Sequence, residues 1–79
     1  MSVLISESEL RDRLLRTNME YKRLADEHKS YSEQLEALNS HPYLSEEEKI
    51  REITLKKKKL LLKDQMYSLL QRFRKELEV

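Results

Sequence analysis

Two histidines, His28 and His41, and the lysine run Lys56–Lys59 are the residues of this 79-residue chain best suited to chemistry. Histidine moves protons near neutral pH and ligates metals, and lysine neutralises phosphate. The two histidines stand thirteen positions apart, with no HxxxH or ExxH pairing around either. That spacing does not assemble a metal site on a helix. Cysteine is absent, which removes thiolate ligands, a thiol nucleophile and any disulfide framework. Glycine is absent too, and with it the glycine-rich loop that cradles phosphates. A serine or histidine nucleophile needs a concave site on a rigid scaffold. The expectation is a non-enzymatic chain with no catalytic residue, no metal, no cofactor and no small-molecule substrate.

The elements that would position these residues are helical. One proline, no glycine and 39% charged residues leave little turn chemistry for strands. Ser6 with Glu9 three positions on has the form of a capping box. Leu10, Leu14, Thr17, Tyr21, Leu24, His28, Tyr31, Leu35 and Leu38 then follow in alternating steps of four and three. This is a heptad seam along one side of a helix, expected over about 6–39 with Asn39 as a left-handed stop. Pro42 forces His41 out of helical geometry, giving a hinge at 40–45. Ser45 with Glu48 opens a second helix over about 46–77, its first turn rich in glutamate. The fold class is therefore all-α. Residues 1–79 form a single unit, two long helices folded as an antiparallel coiled-coil hairpin and assembling into a helical-bundle oligomer.

The second helix is apolar on two sides. At about 100° per residue, Leu55, Leu62, Met66, Leu69, Leu70, Phe73 and Leu77 share one face. Of these, Leu55, Leu62, Met66, Leu69 and Phe73 join Leu24, His28, Tyr31, Leu35 and Leu38 as the expected hairpin core. Ile50, Ile53, Leu60, Leu61 and Tyr67 fall nearly opposite, as a second interface. Which of the two faces is intramolecular stays open at this point. One partner helix cannot bury both, so self-association or docking on another protein is expected.

The run from Leu24 onward, with His28, Tyr43-Leu44-Ser45-Glu46-Glu47 and "LKKKKLLLKDQM" at 55–66, resembles the small bacterial proteins of the YdcH-like family. The resemblance covers roughly residues 24–70. It implies a short helical hairpin of coiled-coil character and assigns no catalytic residue.

Charge frames the remaining choice. Residues 1–48 carry 6 Lys/Arg against 11 Asp/Glu, and residues 49–79 carry 10 against 4. The two halves attract each other, and folding at the hinge is expected to bring Lys57 and Lys58 level with Asp26 and Glu27, in cross-helix ion pairs that align the helices. On a helix the four consecutive lysines point almost all the way round, and only Lys56, Lys59 and Lys63 share a stripe. With Arg74 these three are the candidate phosphate contacts of an alternative reading, an RNA- or DNA-binding hairpin dimer. A net charge of +1 and the acidic first half disfavour nucleic acid. His28 reads as a polar residue at an a position that sets register, with a pH-sensitive contact as the sharper alternative. Tyr21, Tyr31, Tyr67 and Phe73 read as packing residues, with Tyr43 at the hinge. Val3–Ile5 are too few apolar residues for a signal peptide or a membrane span, so a cytoplasmic protein is expected.

Overall fold

The computed structural model describes residues 6–77 of the chain. Val3–Ile5, on which the signal-peptide argument rested, lie outside them. Among the described residues the architecture is all-α, with three helices and no strand. These are α1 (Glu7–Thr17), α2 (Met19–Asn39) and α3 (Glu46–Leu77).

The expected single helix over 6–39 is thus corrected to two. Asn18 has extended backbone angles, φ −118° and ψ 108°, and serves both neighbours. Its amide donates to Leu14 O at 2.8 Å, closing α1, and its Oδ1 accepts from the Tyr21 amide at 2.9 Å, opening α2. Asparagine is among the strongest N-caps because a short side-chain oxygen reaches an amide the helix leaves orphaned. Just before it, the Thr17 hydroxyl donates to Arg13 O at 2.6 Å, a back-bond that bends helices. The heptad seam hid this break, because its spacing runs through Asn18 without interruption.

The other caps follow their residues. At the start of α1, the Ser6 hydroxyl accepts from the Glu9 amide at 3.2 Å. At α3 the box is reciprocal: Ser45 N donates to Glu48 Oε1 at 3.0 Å, and Glu48 N donates to Ser45 Oγ at 3.2 Å. These bonds hold the Glu48 carboxyl below its ordinary pKa. Helix α2 does end at Asn39, but without the expected left-handed residue, since no described residue has positive φ. Ser40 N and His41 N instead close on Glu36 O and Leu38 O, and the Ser40 hydroxyl donates to Ala37 O at 2.7 Å.

Two apolar clusters join the helices. Leu35 and Leu38 of α2 pack with Leu55 of α3, flanked by Tyr31 and Leu44. Farther along, Leu10 and Leu14 of α1, Tyr21 of α2 and Leu70 of α3 form the other, flanked by Met66, Leu69 and Phe73. Late residues of α2 therefore meet early residues of α3, and early ones meet late ones. The break at Asn18 lets α1 lay Leu10 and Leu14, each 1% exposed, onto the second cluster. The molecule measures 55 × 20 × 17 Å, close to the roughly 48 Å that 32 helical residues of α3 span.

Candidate functional site

Helix α3 presents two different surfaces to its surroundings. Leu55, Leu62 and Leu70 are buried along its inner side, with Met66, Leu69 and Phe73 half-buried. From α2, Leu24, Leu35 and Leu38 are buried, and His28 and Tyr31 are half-buried. Leu10, Leu14, Tyr21 and Leu70, absent from the candidate core, are among the most buried residues. Their signal was present: the first three lie on the heptad seam, and Leu70 shares the apolar side of Leu69. Burial raises the Tyr21 phenol pKa.

The outer side of α3 carries Ile50, Ile53, Leu60, Leu61 and Tyr67, all between 53% and 64% exposed. Each keeps more than half of its surface in solvent. Surface apolar residues scattered singly are ordinary, but these recur at helical spacing along one face over about 26 Å. Exposed apolar residues recurring on one face over several turns mark a surface built to be covered.

Between the two sides of α3 runs an open groove of about 630 Å³ against α2, lined by Lys56, Lys59, Leu60 and Lys63 opposite His28 and Glu36. Three of the four candidate phosphate contacts are therefore gathered in one place. Arg74, in the last turn of α3, is not among the residues lining this groove. Burial first, and then the positive charges of Lys59 and Lys63, hold His28 below the ordinary histidine value of 6.5. A groove this open encloses nothing, and among the described residues no three His, Asp or Glu side chains cluster to hold a metal ion.

The expected ion pairs of Lys57 and Lys58 with Asp26 and Glu27 do not form. Every ion pair among the described residues lies within one helix: Arg11–Glu7, Arg23–Glu27, Lys49–Glu46 and Lys56–Glu52. Glu27 is taken by Arg23 at 3.9 Å. Lys58 sits over the Tyr31 ring, 5.9 Å from its centre, about one turn from the expected register, and Lys57 is exposed. Among the aromatics, Tyr43 is 89% exposed at the hinge and Tyr67 lies on the outer stripe.

The family described as a protein of unknown function, DUF465, matches residues 22–70. The chain belongs to that family. DUF465 includes the YdcH-like proteins, and its match spans the stretch of roughly residues 24–70 that carries the resemblance. No curated protein and no solved structure matches the chain. The DUF465 match takes in most of α2 and α3 up to Leu70, including all five residues of the outer stripe. It stops short of α1, which lies before it. Among the described residues, no helix is long and apolar enough to cross a membrane.

Proposed function

We propose that this chain is a non-enzymatic structural or adaptor protein. It folds as an antiparallel coiled-coil hairpin, self-associates, and acts through protein–protein contacts in the cytoplasm. The observation that carries this reading is the exposed stripe Ile50, Ile53, Leu60, Leu61 and Tyr67 on α3, opposite the buried Leu55, Leu62 and Leu70. A helix apolar on both sides is stable in water when both sides are covered. One side meets α2 and α1, and the other remains for a partner. The heptad seam of α2 and the two clusters pairing opposite ends of α2 and α3 support the hairpin. Sedimentation of the purified chain tests the reading: an oligomer is expected, dispersed by charge on the outer stripe.

A second reading, nucleic-acid binding, is favoured by one observation, the convergence of Lys56, Lys59 and Lys63 in a single groove. It fits less well. Glu36 lines the same groove, and Lys56 already holds Glu52 at 3.5 Å. Its test is salt-dependent binding of labelled RNA or duplex DNA, weakened when the three lysines are replaced by glutamine.

A further inference from the structure

Charges are interleaved with the apolar residues of the outer stripe. At about 100° per residue, Glu46, Lys57, Asp64 and Lys75 fall along the centre line of the face that carries Ile50, Ile53, Leu60 and Leu61. All four are exposed. Lys57 and Asp64 have no ion-pair partner among the described residues, and Glu46 meets only Lys49, at 3.7 Å within its own helix. Read from Glu46 the signs run minus, plus, minus, plus; read from Lys75 they run in reverse with every sign inverted. A pattern of that kind is complementary to itself when turned end to end.

We infer that the partner of this face is a second copy of the same chain, its α3 laid antiparallel against the first about a two-fold axis between Leu60 and Leu61. The inference rests on the adaptor reading above and deepens it by naming the occupant and its register. With Leu60 facing Leu61 of the other copy, helical stepping brings Lys57 opposite the second copy's Asp64, and Glu46 opposite its Lys75. By symmetry each pair occurs twice. Ile53 then lies beside Ser68, and Ile50 beside Gln71, so no apolar residue meets a charge of the centre line. The acidic first turn of each α3, Glu46–Glu48, approaches the basic last turn of the other, Arg74 and Lys75, which also aligns the helix dipoles favourably. A parallel pair stacks Lys57 on Lys57 and Asp64 on Asp64, so like charges disfavour it.

The test uses the whole chain and two exposed positions. Lys57→Asp makes the centre pair all acidic, and Asp64→Lys makes it all basic. Each variant alone is expected to keep its helical circular dichroism and to dimerise about tenfold or more weakly than the parent in sedimentation. Mixing the two is expected to give a heterodimer, and the double variant Lys57→Asp/Asp64→Lys, which restores opposite charges across the axis, to dimerise close to the parent. Single variants that associate as tightly as a dimeric parent overturn the antiparallel register while leaving self-association standing. A parent that stays monomeric up to its solubility limit overturns the proposal and the self-association reading together, and the face then belongs to a different protein.

Discussion

The side-chain oxygen of Asn18 accepts the amide of Tyr21 at 2.9 Å, and this bond makes one long amphipathic segment into two helices. Asn18 alone separates α1, ending at Thr17, from α2, starting at Met19, and α1 packs Leu10 and Leu14 in one cluster with Leu70. Replacing Asn18 with alanine is expected to cost about 1 kcal/mol, the usual loss for a cap. Thermal unfolding measures it. A variant as stable as the parent removes the cap from the account.

Leu14 is 1% exposed in the cluster formed by α1, Tyr21 and Leu70, while Leu35, Leu38 and Leu55 pack in another. Leu14→Ala is expected to cost about 2–5 kcal/mol locally and to release α1 before the rest. Hydrogen exchange reads the difference: amides of α1 lose protection, and those around Leu35, Leu38 and Leu55 keep theirs. Uniform loss throughout the chain contradicts two separable clusters.

His28 supplies a pH dependence whose sign follows from its surroundings. It is half-buried, Lys59 and Lys63 face it from α3, and Glu36 lines the same groove from α2. Its folded pKa lies below the ordinary 6.5, so on acidification the unfolded chain takes up a proton first. Stability is therefore full above about pH 6.5 and falls as the pH drops from there through the folded pKa. His28→Gln is expected to flatten that fall between about pH 7.5 and about pH 5.5 in chemical denaturation. Equal slopes for parent and variant remove His28 as its source.

Much of this was legible in the chain itself, for identifiable reasons. Helical periodicity separated Leu55 and Leu62 from Ile50 and Leu60, because burial on a helix has a fixed 3.6-residue period. The Ser45–Glu48 box was readable because its two hydrogen bonds are local. Asn18 was not, since its neighbours keep the heptad spacing and a cap inside an unbroken seam leaves no periodic trace. The Lys57 and Lys58 pairs failed for a different reason. Register between helices depends on how the turn at Ser40–Leu44 closes, and a shift of one turn exchanges a carboxylate for the Tyr31 ring. The faces of a helix are written in sequence; the depth at which two helices slide past each other is not.

On the proposed reading, the exposed stripe of α3 is a protein-binding face through which the chain self-associates. Sedimentation velocity of the parent beside the double variant Ile53→Glu/Leu60→Glu tests it most directly, because both residues are more than half exposed and lie outside the two core clusters. A helical oligomer is expected for the parent and a helical monomer for the variant. A parent that sediments as a monomer, or a variant that associates as tightly as the parent, contradicts that reading.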